Sequence, residues 1–342
     1  MKLGYLSLIL TAFLLLAGEA ESQEPSNAEA SQTRFTISQD DKGLTINFDG
    51  KLFAKYDLHS ANKPYLWPIM GPTGKSMTRA FPMEDSKLEK ENQRDHPHHR
   101  GLLFGHENIE TRESIGGDTW HEKLTYANSE KRAAKLRMLA TIKHREFKTL
   151  DVNDDRAIVV QVCDYLDRDG KKFLEEERTL AFRASAETRT VDFEQKLIAS
   201  DGDVVLHDRK DAGLAIRVPA SMAIDSKLGG HVINSEGEID GDAWSKPAKW
   251  CDYHGPVEGE HLGIALLNHP SSYRFPTRWH VRQYGLFAAN PFGSKAFDDN
   301  FDDATTRLKQ GDSIELKHRI FFHLGSAADA KIEEAWLQYS KE

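Results

Sequence analysis

Apolar and polar positions alternate along most of this chain, the period of a half-buried β-strand. Thr33 to Ile37, Leu44 to Phe48, Thr190 to Ile198 and Ser313 to Phe321 all read this way. Residues 156–167 and 172–183 are longer runs of the same kind, joined by Asp167-Arg168-Asp169-Gly170-Lys171. The Gly-containing turn between them predicts a β-hairpin. Further strands are expected over 135–142, 213–218, 262–267 and 283–288, separated by segments rich in Gly, Asp, Asn and Pro. Helical spacing is clear only near the end, where Ile332, Ala335, Trp336 and Tyr339 within 328–340 make one apolar face. No fixed repeat and no alternation of strands with helices interrupts the pattern. The expectation is all-β: one large antiparallel β-sandwich over 34–325, with a short C-terminal helix over 326–342 packed on the same domain.

The N-terminus departs from this pattern. Lys2 precedes an apolar run from Leu6 to Leu16, and Gly18-Glu19-Ala20 supplies small residues for cleavage. Residues 1–20 are therefore expected to be a signal peptide, and the polar stretch 21–33 a flexible leader. That places the mature protein in the periplasm or outside the cell. No other segment approaches the roughly 20 apolar residues a membrane helix needs, so no span is expected after cleavage. The net charge is −9 with no basic block, which argues against nucleic acid as a partner. Cys163 and Cys251 could pair in an oxidising compartment or stand as two buried thiols, and spacing does not choose.

Chemistry concentrates in four segments. The densest runs from Arg94 to His106, where His96, His98, His99, His106, Asp95, Arg94 and Arg100 fall within 13 residues. Pro97 lacks a backbone donor, so this segment reads as an irregular loop entering a strand at Leu102. Trp120-His121-Glu122 follows, after Gly116-Gly117. Three readings stay open here. His98 or His99 could move protons while Arg100 anchors a substrate. His96, His98 and His121 could hold a divalent metal. Or the segment could be a hydrogen-bonded polar network around a tight turn. One metal pattern is not met: a Glu on the strand after His-x-His is replaced by Leu102 and Leu103. The second segment, His207 to Pro219, offers Lys210 and Asp211 beside a buried-looking strand. The third, Trp250-Cys251-Asp252-Tyr253-His254, combines a carboxylate with aromatic rings suited to the apolar faces of sugars. In the fourth, Arg278, His280 and Arg282 share one face of an extended run that Tyr284 continues and Asn290-Pro291-Phe292-Gly293 ends.

Together these segments carry a resemblance. Asp95-His96-Pro97-His98-His99-Arg100-Gly101, the run from Lys210 to Pro219, Trp250-Cys251-Asp252-Tyr253 and the run from Trp279 to Gly293 resemble the PmoA-like family of exported bacterial proteins. The resemblance extends over about 35–325. It implies a β-supersandwich related to galactose mutarotase and an origin among environmental bacteria that degrade polysaccharides. The label "methane oxygenase PmoA" attached to such proteins cannot hold literally, because that subunit spans the membrane many times and this chain has no span beyond its N-terminal run. In mutarotase-like folds a His and a carboxylate do acid–base work on a sugar held against the sheet.

The expected function is therefore carbohydrate-active, with His98, His99, His280, Asp211 and Asp252 as the catalytic candidates. Arg100, Lys210, Trp250, Tyr253, Arg282, Tyr284 and Asn290 would bind the carbohydrate or glycoside. A hydrolase, a lyase or an epimerase would each use such groups. The alternatives are a non-catalytic carbohydrate-binding protein and a metal-dependent oxidoreductase.

Overall fold

In the computed structural model the described residues are Met1, 33–111 and 117–342. Apart from Met1, the expected signal peptide and most of the leader lie outside them, as does Gly116. Each long alternating run becomes a strand. In chain order the strands are β1 (Phe35–Gln39), β2 (Gly43–Phe48), β3 (Lys51–Asp57), β4 (Tyr65–Ile69), β5 (Leu102–His106) and β6 (Ile109–Thr111). Then come β7 (Thr141–Val152), β8 (Arg156–Leu166), β9 (Lys172–Ala184), β10 (Thr188–Ile198), β11 (Val204–Leu206), β12 (Ala212–Arg217) and β13 (His231–Asn234). The last six are β14 (Trp250–Val257), β15 (Glu260–Asn268), β16 (Arg278–Val281), β17 (Leu286–Asn290), β18 (Thr306–Leu308) and β19 (Ser313–Leu324).

These strands pair into two eight-stranded sheets, ordered β1-β2-β3-β4-β5-β12-β17-β16 and β13-β14-β15-β19-β10-β9-β8-β7. A small third sheet, β18-β11-β6, lies beside them. Pairing in the two large sheets is antiparallel. Alternate side chains of both sheets meet in one core, with Leu102, Phe104, Leu214, Ile216, Phe287 and Trp279 of the first sheet sharing it with Val159, Val191, Leu266 and Leu316 of the second. This is the expected all-β sandwich of antiparallel sheets. Among the described residues no helix is long and apolar enough to cross a membrane.

Two expected boundaries shift. The strand expected over 135–142 begins at Thr141, because Arg132–Leu136 forms a short helix, α1. That run is built of good helix formers with no β-branched residue to favour an extended chain. The strand expected over 283–288 runs instead from Leu286 to Asn290, since Gly285, at φ 96°, turns the chain after β16. The C-terminal helix, α2 (Ile332–Tyr339), packs Ile332, Trp336 and Tyr339 on Trp250, Ala265 and Leu267 of the second sheet. Trp336 also donates its indole N–H to the Asn268 carbonyl at 2.9 Å. Cys163 and Cys251 are free, buried thiols.

The sandwich core also holds an ion pair. Arg178 and Glu176 are both fully buried, 2.6 Å apart on β9. Arg178 donates to the Tyr56 hydroxyl at 2.8 Å, Gln195 donates to Glu176 at 2.8 Å, and the Tyr165 hydroxyl donates to Glu176 at 2.8 Å. A buried pair this well hydrogen-bonded is tolerated because its polar atoms find partners, and Tyr56 ties it to the opposite sheet.

Candidate active site on the outer face of the first sheet

The face of the first sheet that points away from the sandwich core is lined by small and apolar residues. Leu103 on β5, Ala215 on β12, and Leu286 and Ala288 on β17 form a second cluster with Tyr65 and Trp120. Loops bring polar groups over this floor. Period-2 alternation places Arg217, His280, Arg282, Asp211 and Glu107 on the same side.

The loop before β5 builds one wall. His96 adopts φ 45° and accepts a backbone hydrogen bond from His99 at 3.0 Å, so Pro97-His98 sits in a tight turn that gathers three imidazoles. The His96 ring stacks on His99 at 5.0 Å and on Tyr284 at 4.9 Å, and His98 meets His99 at 4.3 Å. Asp95 is the hub beneath them: its carboxylate lies 2.8 Å from Arg79, 2.6 Å from Arg217 and 2.7 Å from Nδ1 of His96. Burial alone would raise this carboxyl, but the His96 hydrogen bond and the charges of Arg217, His96 and Arg79 hold it far below the ordinary carboxylate range.

His98 and His99 are buried beneath this turn. Burial, then the neighbouring positive groups, pushes both far below the usual histidine value, so both are neutral. Arginine only donates, so the 3.2 Å contact from Arg217 makes His99 Nδ1 an acceptor and puts its proton on Nε2. His98 Nδ1 lies 3.0 Å from the Thr125 hydroxyl.

Two carboxylates face each other across β5 and β12. The register pairs His106 with Ala212, and the next residues, Glu107 and Asp211, are joined by a backbone hydrogen bond of 3.0 Å. Like charges directly opposite across a strand pair are destabilising, so their presence needs a reason. Burial, then the charge of Asp211, raises Glu107 above the ordinary glutamate range. Arg209, 4.0 Å away, compensates only in part.

His121 stands close enough for its charge to act on Glu107. Its Nδ1 is 2.9 Å from Asp118, whose other oxygen accepts the backbone N–H groups of Trp120 and His121 at 3.0 and 2.9 Å. A carboxylate so anchored orients the imidazole and leaves Nε2 as the working nitrogen. With 14% of its side chain exposed, His121 can meet a ligand. His280 is arranged similarly: Nδ1 donates to the Lys210 carbonyl at 2.6 Å, fixing Nε2 as the acceptor. Burial, only partly offset by Asp211, pushes His280 down to about 4. Trp244 and Phe297 cover its ring at 4.9 and 6.0 Å.

The face therefore collects His96, His98, His99, His121, Lys210, Asp211, His280, Arg282 and Tyr284 from the residues singled out in the sequence. Arg100 is spent on a two-pronged pair with Glu122, 2.8 Å on each arm. Asn290 uses its amide to donate to the Arg209 and Lys210 carbonyls and to accept from Phe292, so it shapes the loop behind Asp211 rather than offering a free group.

Three candidates lie elsewhere, on β14 of the second sheet. Trp250 packs under α2 and donates to Glu333 at 2.7 Å. Tyr253 is buried in the sandwich core with its hydroxyl between Ile224 and Gln283. Asp252 is fully buried and bridges His254 at 2.6 Å and His323 at 2.7 Å. Strand alternation explains all three, since a run of close residues divides between two faces of a different sheet. The Asp252–His323 contact depends on Gly263, whose position a Cβ would share with the His323 ring at 2.1 Å. Gly263→Ala should displace that ring and cost about 1–3 kcal/mol, the usual penalty for overpacking. Urea denaturation at neutral pH checks it; a midpoint equal to the parent's would mean that the ring moves freely.

Glu107, Asp118, Trp244 and Lys63 are the residues that sequence inspection passes over. Lys63 is buried, donates to the Trp120 carbonyl at 2.8 Å, and is pushed down to about 8 by burial. It holds the segment that carries His121. The signal available for Glu107 was its place directly after the His106 strand end. Among the described residues no three His, Cys, Asp or Glu side chains are arranged to hold a metal ion. The trio His96, His98 and His121 has its Nδ1 atoms turned to Asp95, Thr125 and Asp118.

No functionally curated protein matches the chain. Among solved structures it is similar to an α-galactosidase from Lactobacillus brevis, at 9% identity and TM-score 0.38 over 86% of this chain and 40% of that one. It is also similar to a galactose mutarotase-like protein from Lactobacillus casei, at 9% identity and TM-score 0.36 over 84% of this chain and 100% of that one. A galactose mutarotase related enzyme from Lactobacillus acidophilus gives 7% identity and TM-score 0.34 over 85% and 98%. This chain spans about two fifths of the α-galactosidase's length. A family model matches residues 43–337, and the chain belongs to that family, DUF6807, a family of unknown function.

Proposed function

We propose that this protein is an exported carbohydrate-active enzyme that moves protons to and from a sugar lying on the outer face of its first sheet. The observation that carries the reading is the opposed pair Glu107 and Asp211 with an oriented imidazole, His121, beside it. A carboxyl raised above its ordinary range by burial and a neighbouring carboxylate holds its proton to higher pH than usual, which suits it to act as a general acid. His121, with Nδ1 committed to Asp118, is the complementary base through Nε2. The charge of Asp211 helps to raise Glu107, and Asp211 lies 3.7 Å from His280. Trp244, which is partly exposed, offers a ring on which the C–H groups of a sugar can pack. Proton donation to a leaving oxygen together with proton removal serves a hydrolase, a lyase or an epimerase. The signal-like N-terminus and the resemblance to exported PmoA-like proteins support a place outside the cytoplasm.

The test is an activity screen of the purified protein on glycosides, 3-keto-glycosides and polysaccharides, with products read by mass spectrometry. The reading expects turnover of at least one class, lost in a Glu107→Gln, Asp211→Asn double variant that still unfolds cooperatively. No product from any class, or equal turnover by the double variant, would sink it.

A further inference from the structure

We propose that the sugar bound at this site is acidic and that Arg282 holds its negative group. The inference rests on the carbohydrate reading above and adds the charge of the substrate. Arg282 follows the end of β16 on the face that carries His280. Its guanidinium lies 4.7 Å from the Trp244 ring centre and 5.6 Å from that of Tyr284. It is exposed, and among the described residues no carboxylate or carbonyl accepts from its side chain.

The other arginines around the face are all engaged. Arg79 and Arg217 share Asp95, Arg100 is paired with Glu122, Arg278 donates to the Ser245 carbonyl, and Arg209 donates to the Asp208 carbonyl. Among these arginines, Arg282 alone lies over aromatic rings with no hydrogen-bond partner for its side chain among the described residues. A guanidinium has five donors and no acceptor, and its planar fork matches a carboxylate or sulfate. Lys210 adds a second exposed cation without an anionic partner among the described residues. Both cations act on His280, and Arg282 and Asp211 both act on Tyr284, which sets the cations beside the carboxylate pair. The chain as a whole carries −9, so an acidic ligand gains nothing from the overall charge and depends on these two groups.

Calorimetric titration of the purified protein with trisaccharides in neutral, uronate and 6-sulfated forms, each in the gluco, galacto and manno series, decides the matter. An acidic form should bind at least about tenfold more tightly than its neutral counterpart at low salt, and the gap should narrow at high salt. Whether uronate or sulfate shows the gap identifies the anion. Arg282→Gln should abolish the gap between acidic and neutral forms, while Arg282→Lys should keep part of it because the charge remains without the fork. Equal affinity for neutral and acidic forms, or a gap that survives Arg282→Gln, overturns the inference and leaves the carbohydrate reading standing. Binding of no sugar in any form overturns both.

Discussion

Glu107→Gln is expected to lower kcat/KM on whichever substrate the screen identifies by about 10²–10⁴-fold, the usual contribution of a positioned general acid. The pH profile is the sharper measurement. A general acid must carry its proton, so the rate should fall as pH rises through the raised Glu107 value. Glutamine does not titrate, so the variant should lose the alkaline limb. Stability should move the opposite way. Glu107 is raised in the folded state, so its contribution is fully present below the unfolded glutamate value and is lost as pH rises through the folded one. At pH 8 the parent therefore carries a penalty that glutamine removes, and the melting temperature of the variant should equal or exceed the parent's. A variant with an intact alkaline limb, or one that melts earlier at pH 8, would mean that Glu107 serves structure rather than proton transfer.

Asp95→Asn should be the most damaging change to stability on the outer face. The side chains of Arg79 and Arg217 are 1% and 2% exposed, and both converge on the same Asp95 oxygen. Removing the carboxylate charge leaves the buried Arg217 guanidinium without its carboxylate partner and Arg79 with only the charge of Glu89, a class of change that costs about 3–5 kcal/mol. For a domain of this size that corresponds to a fall of roughly 10 °C in Tm, readable by calorimetry. Asp95 has a depressed folded value, so its contribution is present above the unfolded aspartate value near 4 and is lost as pH falls below it. The gap between parent and variant should close in acid. A loss below about 1 kcal/mol at pH 7 would show that the carbonyls of Phe81, Gln93 and His96, to which Arg79 also donates, satisfy the pair without Asp95.

The candidate site was partly legible before any coordinates. The turn around Pro97 was recognisable because proline excludes a central strand, and the crowding of His96, His98 and His99 follows from that turn. The shared face of Arg278, His280 and Arg282 follows from the two-residue period alone. What could not be read was the partner of each group. Glu107 is an unremarkable residue after a strand until the register sets it against Asp211, more than a hundred positions away. Asp252 and His98 read alike in sequence, each a polar group among aromatic or histidine neighbours, yet Asp252 lies on β14 of the second sheet and His98 in the loop before β5 of the first. His121, one of three histidines offered for a divalent metal, has its Nδ1 held by Asp118, three residues before it.

Residue order and polarity were enough to establish the all-β class, the antiparallel hairpin of β8 and β9, the apolar face of α2 and the concentration of titratable groups in a few segments. Each of these depends on interactions between residues close in the chain, where a period of two or of three and a half is set by local backbone geometry. The pairing of β5 with β12, the separation of β14 from the outer face of the first sheet, and the charge states of Glu107, His98 and Asp95 depend on long-range register and on burial. Those are properties of the closed sandwich, because desolvation and opposed charges exist only once distant strands have come together.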